Sequence, residues 1–113
     1  MAGPPTVVLV PGAFHGAWCW ERVLVELERR DVDAVAIDLP GHGDDRGPFT
    51  DLAGDADRLR ARLDELAPPV ILVGHSYAGV VITRAGEHPN VSEPLLFVSV
   101  NSSVSVGDSA TIV

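Results

Sequence analysis

The chain has 113 residues, 46% hydrophobic and 21% charged, a balance that suits one folded domain and excludes a disordered polymer. Eight basic side chains stand against sixteen acidic ones. The formal charge of −8 argues against a nucleic acid or an anionic membrane surface as partner, since both select for Lys and Arg. One cysteine, Cys19, excludes an intrachain disulfide and points to a reducing, cytoplasmic compartment. No basic segment precedes the short apolar run Val7–Val10, and no stretch approaches the ~20 apolar residues of a membrane span.

Thr6–Val10 is a β-branched run bounded by prolines and reads as a buried strand. From about Trp18 to Arg30, Trp20, Val23, Leu24 and Leu27 recur at helical spacing. Asp33–Ile37 is the second strand, and the turn-rich loop Asp38–Pro48 follows. Thr50 or Asp51 can cap a helix from about Leu52 to Leu66, which Pro68-Pro69 ends. Val70–Val73 is a third strand, Ser76 to about Glu87 a third helix, and Leu95–Val100 a fourth strand. The alternation predicts an α/β fold: three αβα layers around a mostly parallel sheet, with apolar strands covered on both faces. Ligands of such sheets bind beyond the carboxyl ends of the strands. The loops at that edge carry His15, His42 and His75.

Gly74-His75-Ser76-Tyr77-Ala78-Gly79 stands between a strand and a helix, where the pattern G-x-S-x-G marks a nucleophile elbow. Ala78 stands where Gly is commoner. The turn would present Ser76 Oγ at the positive end of the next helix and aim the Tyr77 N–H at an oxyanion. The plain alternative is a serine N-cap on an ordinary βα unit. A second donor is needed from the loop after the first strand, and Ala13, after Gly12, is the candidate.

Three blocks carry a resemblance: Val-Pro-Gly-Ala-Phe-His-Gly-Ala-Trp-Cys-Trp at 10–20, Asp-Leu-Pro-Gly-His-Gly at 38–43, and Val-Gly-His-Ser-Tyr-Ala-Gly at 73–79. The chain resembles α/β-hydrolases of the group that holds plant methyl esterases, hydroxynitrile lyases and bacterial esterase-like relatives. The resemblance implies a serine hydrolase acting on a small ester-like substrate, with Ser76 as nucleophile; the sequence shows no cofactor motif and no metal cluster. It implies that residues 1–113 are the N-terminal half of one such domain, because the family's acid and histidine come later. Pro11-Gly12 replaces the His-Gly of many relatives.

A serine needs a base within hydrogen-bond reach. His75 adjoins Ser76, but the elbow aims their side chains apart. His88 ends the helix that Ser76 begins, about 18 Å away. His15 and His42 lie on the right edge, His15 the more plausibly placed, though the resemblance assigns it to the oxyanion loop. Phe14, His15 and His75 are the pocket candidates, and Asp108 is a weak candidate for the acid. Tyr77 lines the pocket or simply packs. Trp18 and Trp20 are expected to pack at the helix base and Cys19 to be a buried small hydrophobe. Asp38 reads as a turn and cap residue; Asp44, Asp45, Asp55 and Asp57 read as solvated charges.

Two other readings compete. A pseudoenzyme or binding module would keep this half without the chemistry. A dinucleotide-binding unit would use the loop Gly12–Gly16 and Asp38, yet G-x-G-x-x-G is absent. With half a domain, the fourth strand is expected to be an unpaired edge through which copies self-associate.

Overall fold

The computed structural model describes residues 3–97 and 111–112. Strands β1 (Thr6–Val10), β2 (Ala34–Ala36), β3 (Val70–His75), β4 (Val91–Phe97) and β5 (Thr111–Ile112) form one sheet in the order β2-β1-β3-β4-β5. Every pairing is parallel. Helix α1 (Glu21–Arg29) joins β1 to β2, α2 (Leu52–Asp64) joins β2 to β3, and α3 (Ala78–Ala85) joins β3 to β4.

Strand alternation sorts the core into two layers. Val8, Val10, Val70 and Leu72 point to the face that α2 and α3 cover with Leu59, Leu63, Val81, Ile82 and Ala85. Leu9 and Val73 point the other way, against Trp20 and the half-buried Val23, Leu24 and Leu27 of α1. The chain steps from β1 to β2 on one side, then crosses to β3 on the other. That reversal opens a crevice at the carboxyl ends of β1 and β3, the position where doubly wound sheets bind ligands.

Several expected boundaries shift, each for a local reason. The first helix is preceded by a 3-10 turn, Ala17–Trp20, and begins properly at Glu21. Trp20 is buried as expected, but Trp18 is 62% exposed. The third strand runs two residues further, to His75. The third helix starts at Ala78 rather than Ser76, because Ser76 has φ of 55° and cannot join a right-handed helix. The fourth strand starts at Val91, not Leu95. It carries Pro94 opposite Leu72, and that proline disguised its beginning; residues 98–100 lie outside the described set. Nor is β4 an unpaired edge, since Leu95 and Leu96 pair with Thr111 and Ile112. Of the two possible caps, Asp51 caps α2, accepting from the Gly54 N–H at 2.8 Å.

Leu59 is fully buried between α2 and the sheet. Leu59→Ala should lower stability by about 3 kcal/mol in urea unfolding. Val25→Ala, at a position 53% exposed on α1, should cost less than about 0.5 kcal/mol.

Candidate active site at the carboxyl edge of the sheet

The site is built first on a tight turn. β3 ends at His75, Ser76 takes a left-handed backbone conformation, and Tyr77 is already helical at φ −53°, ψ −34°. The reversal is possible because Gly74 has no side chain: a Cβ there would lie 2.9 Å from Ala78 Cβ. The methyl of Ala78 is itself fully buried, so the alanine is accommodated by the glycine across from it. Ser76 is exposed, and it opens on a shallow groove of about 340 Å³ with Gly79, Val80 and Thr83. Its hydroxyl has no side-chain or backbone partner among the described residues.

The loop after β1 approaches from the neighbouring strand. His75, pointing to the α1 face, braces it. His75 Nε2 accepts from the Gly12 N–H at 3.3 Å and lies 3.6 Å from Cys19 Sγ. Its ring packs edge-on against Trp20 and His15, with centroids 5.2 and 5.6 Å away. Burial pushes the His75 imidazole down, and the charge of nearby His15 adds to that. A neutral ring accepting at Nε2 carries its proton on Nδ1. A side chain at Gly12 would strike this ring, its Cβ 2.9 Å from Cε1. Beyond Gly12, Phe14 takes φ of 63° and is 84% exposed. Among the described residues, neither the Ala13 nor the Tyr77 backbone N–H donates to a protein acceptor.

Two aspartates pin the loop after β2. Asp38 Oδ1 accepts from the Ala17 N–H at 2.7 Å and Oδ2 from the Asp44 N–H at 3.2 Å, so it ties this loop to the one after β1. The contact is close enough that Gly43, at φ 58°, has no room for a Cβ beside the Asp38 carboxylate. Asp45 is not a free solvated charge. It accepts from the Gly41 and Gly47 N–H groups at 3.1 and 2.8 Å and from Arg58 Nη1 at 2.6 Å. The Arg58 hydrogen bond first, then the two backbone donors, hold its carboxyl down at about 2.

Between these loops lies a cleft of about 320 Å³ lined by Ala13, Phe14, His42, Phe49, Thr50, Asp55 and Tyr77. Of the expected pocket residues Phe14 lines it; His15 and His75 stand outside it, packed against Trp18 and Trp20. Asp55 corrects the reading of a solvated charge: it is 2% exposed and accepts from the Tyr77 hydroxyl at 2.6 Å and Thr50 Oγ1 at 2.7 Å. Nothing in the periodicity of α2 singled it out, since its partner is 22 residues away. His42 is buried in the cleft wall, its Nδ1 2.9 Å from the Pro40 carbonyl. A larger depression of about 620 Å³, beside Asp33 and Ala34, lies at the opposite, amino edge of the sheet.

None of the four histidines bonds Ser76. His15 Nδ1 meets the Ala13 carbonyl at 3.0 Å, and His88 Nε2 lies 2.7 Å from Asp64 Oδ1. His42 and His75 are engaged as described. Asp108 falls outside the described residues. No group of three or more His, Cys, Asp or Glu among the described residues is placed to hold a metal ion. No described helix is long and apolar enough to cross a membrane.

A strand-order reversal with a left-handed serine at its crevice defines a class. The profile of the alpha/beta hydrolase family matches residues 7–112, and the chain belongs to that family. It is 40% identical over 86 residues to norfluorocurarine synthase 1 of Strychnos nux-vomica, covering 72% of this chain and 32% of that protein. It is 37% identical over 84 residues to pFDCC methylesterase MES16 of Arabidopsis thaliana, covering 69% of this chain and 32% of that protein. The crystal structure of the Arabidopsis methylesterase MES16 superposes with a TM-score of 0.75 at 31% identity, over 85% of this chain and 44% of that one. The chain thus spans about a third of the length of these curated relatives.

The loop that Asp45 holds should report its own titration. A carboxyl held at about 2 against its ordinary 3.8 adds stability that is full above 3.8 and is lost as pH falls through about 2. The stability difference between the chain and Asp45→Asn, followed by denaturant unfolding across that range, should shrink steadily toward the acid end.

Proposed function

We propose that the chain supplies the nucleophile half of an esterase-like serine hydrolase, with Ser76 attacking the carbonyl of a small ester. The observation that carries this is the exposed serine at φ 55° between β3 and α3, beside backbone N–H groups that meet no protein acceptor among the described residues. The likeness to methylesterases supports an ester as substrate.

In this reading Ser76 Oγ bonds to the carbonyl carbon as its proton passes to a base. The carbonyl oxygen becomes an oxyanion that accepts from the Tyr77 and Ala13 N–H groups, reinforced by the positive end of α3. Collapse expels the alcohol, which takes the proton back, and leaves an acyl-serine. Water, deprotonated by the same base, then releases the acid and frees Ser76. Phe14, Phe49 and His42 give the adjoining cleft apolar walls suited to a flat or branched substrate group.

The engagement of all four histidines elsewhere favours a second statement about this stretch of sequence. The base comes from outside the described residues, and without it the described residues hold a primed nucleophile that turns over slowly. Loss of the triad base costs about 10⁶ in turnover in a well-studied serine protease.

External imidazole can stand in for the base. With imidazole present, the chain should hydrolyse p-nitrophenyl acetate faster than its Ser76→Ala variant by about tenfold or more. Equal rates in the two proteins at every imidazole concentration would remove Ser76 from the nucleophile role.

A further inference from the structure

The Tyr77 side chain leaves the strand-to-helix turn and crosses to the first turn of α2, where its hydroxyl donates to Asp55 Oδ2 at 2.6 Å. Asp55 Oδ1 accepts from Thr50 Oγ1 at 2.7 Å. Among the described residues no cation pairs with this buried carboxylate. Its charge is met by two hydroxyl donors and by the positive end of α2.

Such a group is a costly way to join two helices. An apolar side chain would pack α2 against α3 without removing a charge from water. Packing alone therefore does not account for the aspartate. What it does hold is specific: the residue directly after Ser76, whose own N–H meets no protein acceptor among the described residues. With its phenol held on Asp55 and its Cα at the start of α3, Tyr77 has little freedom to shift, and the peptide that carries this N–H is attached to that Cα.

We propose that Asp55 is a positioning residue: supported by Thr50, it clamps the Tyr77 side chain and so fixes the direction of the Tyr77 N–H beside Ser76. This rests on the reading of Ser76 and the Tyr77 N–H given above. The Tyr77 phenol accords with the clamp, pushed up to about 12 by burial first and by the Asp55 hydrogen bond next.

The chain contains one tyrosine, so both ends of the clamp can be read separately. Amide-labelled tyrosine gives a single NMR amide signal, that of Tyr77, and phenolate absorbance titrates the same side chain. In Asp55→Asn the phenol midpoint should fall toward the ordinary tyrosine value, and the amide signal should move by more than its linewidth. Thr50→Val, a change in an exposed loop, should move that signal in the same direction by less, and it decides the matter if Asp55→Asn does not fold. In the imidazole-supplied assay Asp55→Asn should lower kcat about tenfold with KM little changed. A phenol midpoint that falls while the amide signal stays in place would overturn the proposal, as would an unchanged kcat. The amide and phenol readouts need no turnover, so a failure of Ser76 to act as nucleophile would show up separately, as turnover indifferent to Ser76→Ala in the wild-type background.

Discussion

A single backbone reversal organises this molecule: the left-handed residue at Ser76, φ 55°, between the end of β3 and the start of α3. A non-glycine residue in that region is strained, and it persists when its surroundings over-determine it. Here the surroundings are identifiable. Gly74 leaves room for Ala78, β1 and β4 fix β3 from both sides, and α3 is packed through Val81, Ile82 and Ala85 into the core. Core packing thus sustains the strain, and the result is a hydroxyl lifted clear of the sheet edge.

Everything else at that edge is arranged around fixed backbone. His75 spends its ring on Gly12, Asp38 spends both oxygens on the loops after β1 and β2, and Asp45 gathers its own loop around Arg58. These are polar side chains that accept from backbone N–H groups of the loops and so hold the loops in place. Among the described residues the Ala13 and Tyr77 N–H groups meet no protein acceptor, and they fall on the loop and the turn that flank the crevice. Rigid scaffold with a few unspent donors is the arrangement electrostatic catalysis requires, because dipoles aligned in advance cost no reorganisation during reaction.

Much of this was legible in the sequence, and the boundary of legibility is physical. The parallel fold follows from alternating apolar strands and amphipathic helices. The turn at Ser76 follows from Gly74, Ser76 and Ala78 lying between a strand and a helix, all within a few residues. What sequence reading missed depends on distant partners. His75 was expected in the pocket, yet it is claimed by Gly12, 63 positions away. Asp55 and Asp45 looked like solvated charges on a helix and in a loop; one is buried against Tyr77 and the other is held by Arg58. The start of β4 was hidden by Pro94, since propensity speaks against proline in a strand and tertiary pairing overrode it.

The most direct test of the central claim is to find the covalent acyl group. The eight basic side chains are all arginine, so no lysine competes for acetyl transfer, and trypsin releases residues 63–84 as one peptide containing a single serine, Ser76. After exposure to p-nitrophenyl acetate with imidazole as external base, peptide mass mapping should place one acetyl group on Ser76 within that peptide. Acetyl found on histidine-bearing peptides at equal yield, with Ser76 unmodified, would contradict the account.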